Sequence, residues 1–227
     1  MAYTLITANR NYSSWSLRPW VLMKALGIEF EDRLVVFAED NFDHFRSFAP
    51  NAQVPCLIDG EDTIWDSLAI VEYLAERHAG VWPEDGSARA WARCAAAEMH
   101  SGFSALRNQC TMNVGVRARL HSIDAPLARD VARISELLAQ GLARFGGPWL
   151  AGVQYTAVDA FFAPVAWRIR TYGLQVDPAV YDWVARIIAH PAMQQWEAEA
   201  LAEPYREIGH EEELRASASI IEDFRAQ

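Results

Sequence analysis

Lysine is almost missing from this 227-residue chain. Lys24 is the only one, and 20 Lys and Arg against 30 Asp and Glu leave a formal charge of −10. No basic run interrupts that acidic excess, and phosphate binding needs a basic face, so nucleic acid is not an expected partner. Cysteine is scarce as well. Cys56, Cys94 and Cys110 are odd in number and widely spaced, which suits neither a disulfide framework nor a zinc cluster and fits a reducing compartment. The six histidines lack the i, i+4 pairing of a metal-binding helix, so no metal is expected. Long apolar runs are missing too: no uncharged stretch approaches the ~18 residues that span a bilayer, so no membrane association is expected. The first residues alternate as a strand does and have no basic flank ahead of an apolar stretch. No signal peptide is expected, and the cytoplasm is the expected location.

What the chain does have is apolar content. Hydrophobic residues make up 52%, and nine are Trp, a composition that belongs to a compact protein able to bury a core without staples. Met1 to Thr7 reads as a strand, followed by a polar stretch from Asn9 to Ser16 and a helix over Leu17 to Leu26. Pro19 suits only the first turn of that helix, where its missing N–H is not needed. Gly27 ends the helix, and Phe30 to Phe37 alternates as a second strand, which implies a right-handed βαβ unit. A short irregular helix is expected over Glu39 to Asn51. Cys56-Leu57-Ile58 and Thr63-Ile64-Trp65, joined by a turn at Asp59-Gly60, form a hairpin. Leu68, Val71, Leu74 and Ala75 recur at helical spacing after Ser67.

The first 80 residues therefore read β-α-β, then α, then β-β-α. Residues 81–87, rich in Pro, Gly and acidic side chains, are the expected linker. Residues 88–227 show helical patterns over Ala88 to Met112, Pro126 to Phe145, Thr156 to Thr171, Pro178 to Ile188 and Ala192 to Leu201. No convincing strand is read there, and the charged segment from about Glu203 onward is expected to wrap the surface or fray. The fold class is thus an α/β domain with a four-stranded mixed sheet, followed by an all-α helical bundle.

Three short segments carry chemistry. Ser13 and Ser14 stand just before the first helix, where a serine either caps the helix or offers a hydroxyl to a ligand. Gln53-Val54-Pro55 precedes a hairpin strand, and Pro55, having no N–H, must sit at the start of that strand. Asp66-Ser67 opens the next helix; Ser67 is read as its N-cap, and the exposed N–H groups and positive dipole end there suit a carboxylate, while Asp66 suits an ammonium group. Cys56 is read as a small hydrophobe on a buried strand. Thr156-Ala157-Val158-Asp159 reads as a capping box, which makes Asp159 a folding residue.

Taken together, Tyr12-Ser13-Ser14-Trp15-Ser16-Leu17-Arg18, Gln53-Val54-Pro55 and Trp65-Asp66-Ser67-Leu68-Ala69-Ile70-Val71-Glu72-Tyr73-Leu74 resemble the cytosolic glutathione transferase pattern. The serine pair is most similar to that of the zeta class, the maleylacetoacetate isomerases. The resemblance implies a thioredoxin-like first domain in which a cis bond into Pro55 leaves the Val54 backbone free to pair with glutathione as an added strand. It implies glutathione as co-substrate, held by Gln53, Val54, Pro55, Asp66 and Ser67. It also implies a thiol activated by Ser13, with Ser14 sharing the role and Tyr12 as a rival hydroxyl. The expected activity is addition of the thiolate to a small apolar electrophile. Alternatives are a glutathione-dependent cis-trans isomerase and a non-catalytic ligand-binding module of the same fold. A homodimer is implied as well. One departure stands out: Trp15 replaces the Cys that follows the serine pair in zeta-type isomerases. The second substrate is expected beside the second domain, with Met99, Phe103, Arg107 and Met112 at helical spacings that serve equally for lining or for core.

Overall fold

The computed structural model describes residues 3–37 and 42–225. Met1 and Ala2 of the expected first strand, and residues 39–41 of the expected irregular helix, lie outside the described residues. Strand β1 (Tyr3–Ala8), helix α1 (Ser14–Ala25), β2 (Phe30–Val35), α2 (Phe42–Arg46), β3 (Cys56–Asp59), β4 (Asp62–Ile64) and α3 (Ser67–Ala75) follow in the expected order. The sheet runs β2-β1-β3-β4, with β1 parallel to β2 and antiparallel to β3. The βαβ crossover explains the parallel pair, and the hairpin at Gly60 explains the antiparallel edge.

Helix α1 corrects the expectation for its start. It begins at Ser14, so Pro19 lies inside it rather than in its first turn. Proline removes one ladder hydrogen bond there. The helix continues because Ser14 and every residue from Ser16 to Met23 are buried between the sheet and the helices of the second half. Tertiary packing outweighs the local penalty.

The second half comprises α4 (Gly86–Ser101), α5 (Ser104–Gln109), β5 (Val116–Leu120), α6 (Ala125–Phe145), α7 (Ala157–Tyr172), α8 (Pro178–Ile188), α9 (Pro191–Ala202), α10 (Ile208–Ser217) and β6 (Ala218–Asp223). The single helix expected over Ala88 to Met112 is broken. A Cβ at Gly102 would lie 2.8 Å from the Glu98 carbonyl oxygen, and Phe103 is left-handed with φ 55°, so the chain turns at this pair. Two strands occur where none was expected: β5 pairs antiparallel with β6. The described part of the tail packs onto the fold, with Glu211, Leu214, Ala218 and Arg225 buried.

Helix α7 is the axis of this half, with every residue but Arg170 buried. Its first turn is fixed by Asp159, which accepts the Thr156 N–H at 3.1 Å, the Leu150 N–H at 3.0 Å and the Trp183 indole N–H at 3.0 Å. Burial pushes the Asp159 carboxyl up to about 6, while those three donors pull it down. One continuous core joins both halves, and a smaller cluster of Ile6, Val35, Phe45, Ala49 and Cys56 lies on the other face of the sheet. Among the described residues no helix is long and apolar enough to cross a membrane, and no group of three metal-ligating side chains forms.

Candidate active site

The loop from Asn9 to Ser13 is held by residues from far along the chain. The Arg10 N–H donates to Glu203 at 2.6 Å, and the Asn11 amide donates to the Ala200 carbonyl at 2.6 Å while accepting the Gly115 N–H at 3.1 Å. The Arg10 guanidinium lies 4.4 Å from the Trp196 ring centre and pairs with Asp32 and Glu199. Buried charge of this kind is tolerated because it is matched. Held by these contacts, the loop presents Ser13 and Ser14 to a cleft of about 810 Å³.

Ser13 occupies the N-cap position of α1, yet its side chain makes no capping bond. Its hydroxyl instead donates to the Ser16 hydroxyl at 2.7 Å, and the Ser16 oxygen accepts the Ala8 N–H at 3.2 Å. Ser14 is the first residue of α1 and lines the cleft beside Ser13. The Tyr12 hydroxyl points elsewhere, donating to Glu211 at 2.8 Å.

Gln53, Val54 and Pro55 line the same cleft, as do Asp66 and Ser67. The bonds into Pro55 and into Asp66 are cis. Strand pairing starts at Cys56, so among the described residues no backbone hydrogen bond engages Val54. The start of α3 differs from the sequence expectation. Asp66, not Ser67, is the N-cap, accepting the Leu68 N–H at 3.0 Å and the Ala69 N–H at 3.4 Å. A carboxylate one residue earlier reaches these donors better than the Ser67 hydroxyl, which is buried and has no hydrogen-bond partner among the described residues. The other Asp66 oxygen lies 3.1 Å from His100 Nε2.

The opposite wall comes from the second half. Of the four residues read at helical spacing, Arg107 and Met112 line the cleft, whereas Met99 and Phe103 belong to the core. Arg168 of α7 and His210 of α10 also line it, and sequence reasoning missed both. An arginine on an otherwise apolar helix was the readable signal for Arg168. His210 stacks on Tyr12 and Phe37, with ring centres 5.1 and 5.4 Å apart. Cys56 is fully buried, away from the cleft, and burial pushes its thiol up to about 11.

A thioredoxin-like sheet, a helical second half and a cleft between them define the class. The description "Glutathione S-transferase, N-terminal domain" matches residues 12–77, and "Glutathione S-transferase, C-terminal domain" matches residues 115–199. The chain belongs to the cytosolic glutathione transferase superfamily. A probable maleylacetoacetate isomerase of Caenorhabditis elegans is 25% identical over 203 residues, covering 82% of this chain and 91% of the relative. A zeta-class glutathione S-transferase of Euphorbia esula is 26% identical over 162 residues, covering 68% and 70%. Among solved structures, a glutathione transferase homolog from Burkholderia with bound glutathione superposes with a TM-score of 0.68 at 24% identity. That match covers 88% of this chain and 98% of the other.

Proposed function

We propose that this protein is a glutathione transferase in which the Ser13 hydroxyl stabilises the glutathione thiolate for attack on an electrophile. The observation that carries this reading is the hydrogen-bonding capacity left unused among the described residues on one cleft wall: the Val54 backbone, the Ser67 hydroxyl and the N-terminal end of α3 beside the Asp66 carboxylate. Glutathione has the matching groups. Its γ-glutamyl carboxylate suits Ser67 and the α3 N–H groups, its α-ammonium suits Asp66, and its cysteinyl backbone suits Val54. Gln53 and Pro55 flank that backbone contact.

The thiol of that cysteinyl residue has an ordinary pKa of ~8.5, so little thiolate exists at neutral pH. Ser16 accepts a backbone N–H and keeps its own proton, so when sulfur arrives the serine pair reverses. Ser16 then donates to Ser13, and Ser13 donates to the thiolate. Hydrogen bonding to the anion, with the N-terminus of α1 alongside, lowers the thiol pKa. Ser14 is the neighbour that shares the role. A homodimer is part of the same reading, and sedimentation checks it.

A second reading, cis-trans isomerisation through addition and elimination of glutathione, is favoured by the isomerase relative. Free thiol is consumed by conjugation and regenerated by isomerisation, so thiol titration during turnover separates them. The primary test is the ultraviolet absorbance of bound glutathione thiolate against pH in the native chain and in Ser13→Ala. A bound thiol titrating as free glutathione does would refute the mechanism.

A further inference from the structure

A histidine of the second half meets the carboxylate assigned to the glutathione ammonium. His100 lies in the last turn of α4, and its Nε2 is 3.1 Å from Asp66 Oδ2 at the start of α3. Both side chains line the cleft. The imidazole packs edge-on against the Trp15 ring at 5.3 Å and the Phe161 ring at 6.4 Å, and the His100 backbone carbonyl accepts from Arg107 at 3.2 Å. The other ring nitrogen, Nδ1, is buried and has no hydrogen-bond partner among the described residues.

That arrangement selects a tautomer. In the neutral ring a proton on Nε2 donates to Asp66, whereas a proton on Nδ1 would leave an N–H unpaired and set two acceptors face to face. Asp66 is divided accordingly. Oδ1 takes the Leu68 and Ala69 N–H groups and Oδ2 takes His100, so the carboxylate is tied at both oxygens. A carboxylate accepts about four hydrogen bonds. With Oδ1 engaged by the helix cap, the capacity left for a ligand is on Oδ2, beside His100. The Asp66 side chain is 47% exposed and that of His100 26%, so the pair stays open to an incoming group. A contact this exposed contributes little to stability, and its consequence lies in where it holds the carboxylate.

We propose that His100 is a positioning residue for glutathione: its Nε2–H holds Asp66 Oδ2 where the γ-glutamyl ammonium arrives, so that α4 of the second half confers selectivity for the amino end of a ligand bound on the first. This rests on the glutathione reading and adds to it a determinant from outside the thioredoxin-like domain. His100 acts through Asp66 and not on the reacting sulfur. The helix cap anchors one oxygen and leaves the carboxylate free to rock about it; the imidazole, itself packed on two aromatic rings, removes that freedom. A charged group held in place before its partner arrives binds it more tightly, because less ordering is left for the binding step. Ligands without the ammonium gain nothing from this, which makes the effect one of selectivity.

The probes are S-methylglutathione and its desamino analogue, with glutaryl in place of γ-glutamyl, titrated calorimetrically into the full-length protein. Native protein should bind S-methylglutathione at least about tenfold more tightly than the analogue, in line with one charge-assisted pair. His100→Asn, whose amide reaches only as far as Nδ1, should lower that ratio by at least about threefold while the analogue's affinity stays within about twofold. His100→Gln, whose amide nitrogen reaches the place of Nε2, should keep the ratio within about twofold of native. His100→Met removes the donor in a second way and answers the question if the Asn variant does not fold, which melting curves establish. A His100 that only joined the two halves would weaken both probes alike, so an unchanged ratio in His100→Asn or His100→Met overturns the proposal. A native ratio near one does the same. Native protein that binds neither probe refutes the glutathione reading and this proposal with it, whereas a native preference that survives the loss of His100 refutes this proposal alone.

Discussion

The Tyr12 hydroxyl donates to Glu211 Oε1 at 2.8 Å, joining the loop that carries Ser13 to a helix 199 residues further along. Glu211 also binds Arg225 through both guanidinium Nη nitrogens, so tyrosine, carboxylate and arginine form one buried network. Burial and the Glu211 charge hold the Tyr12 proton well above the ordinary phenol range. Among the described residues, the hydroxyl one residue away, on Ser13, bonds only to another serine.

Ser13→Ala and Tyr12→Phe are therefore expected to separate. A hydrogen bond to a charged group contributes ~1.5–3 kcal/mol, which is about 1–2 pKa units on the thiol. Ser13→Ala should raise the bound-thiol pKa by that amount and lower kcat at pH 6.5 by roughly 10–100-fold, with recovery at higher pH. Glutathione affinity should stay within about threefold. Tyr12→Phe should leave the thiol titration where it was and lower Tm, because it breaks the buried network. A shifted thiol pKa in Tyr12→Phe would reverse the assignment.

The same network gives a stability prediction with a definite sign. Burial pushes the Glu211 carboxyl up, but hydrogen bonds from Arg225 and Tyr12 outweigh it, and its folded pKa lies below the ordinary 4.5. A depressed folded pKa means stabilisation that is fully present above pH 4.5 and is lost as pH falls from there through the folded value. Glu211→Gln should accordingly melt below native protein at pH 7, since Arg225 then lacks its buried partner. That gap should narrow as pH falls below 4.5. Parallel melting curves of the two proteins from pH 7 to 4 provide the check, and a gap that widens in acid would contradict the account.

Local pattern explains what was readable in the sequence. The order of strands and helices through Ala75 follows from alternation, turn residues and caps that lie close together in the chain. So does α7, a long apolar run with Asp159 at its start. The β5–β6 pair was missed because its evidence is split: Val116 faces Asp223 across more than a hundred residues, and the alternation of Val116, Arg117, Ala118 and Arg119 is too short to stand alone. The cap of α3 was misplaced by one residue because Asp and Ser are equally good caps in composition, and only the backbone decides between them. The opposite wall of the cleft was unreadable for another reason. Arg107 and Arg168 come from separate helices, and only tertiary packing brings both to the cleft.

Cysteine reactivity should follow burial. Cys56 and Cys110 are fully buried, and burial pushes their thiols up to about 11 and about 12, whereas Cys94 is exposed. The thiolate is the species that alkylates, so at pH 8 iodoacetamide should modify one cysteine per folded chain, and Cys94→Ala should take up none. Intact-mass measurement reads this directly. Activity should survive labelling, because Cys94 does not line the cleft. Rapid modification of Cys56 in folded protein would mean that the sheet opens beside Pro55.

The second half of the fold has its own close contact, at Gly141. This residue sits inside α6, about one turn before its end, where glycine normally costs helix stability by ~1 kcal/mol relative to alanine. Its place is explained by packing. A Cβ there would fall 2.3 Å from Trp91 Cη2 and 2.6 Å from the Leu150 carbonyl oxygen. Neither neighbour yields easily, since one is a ring packed in the core and the other is backbone. Gly141→Ala should therefore destabilise by about 1–3 kcal/mol despite the better helix former, with a lower Tm. Gly86→Ala is the matched control. A Cβ at Gly86, the first residue of α4, meets only the Arg89 side-chain end at 3.9 Å, so the same substitution there should leave Tm unchanged or slightly raised. If both variants melt alike, the approach of α6 to Trp91 does not set the packing of this half.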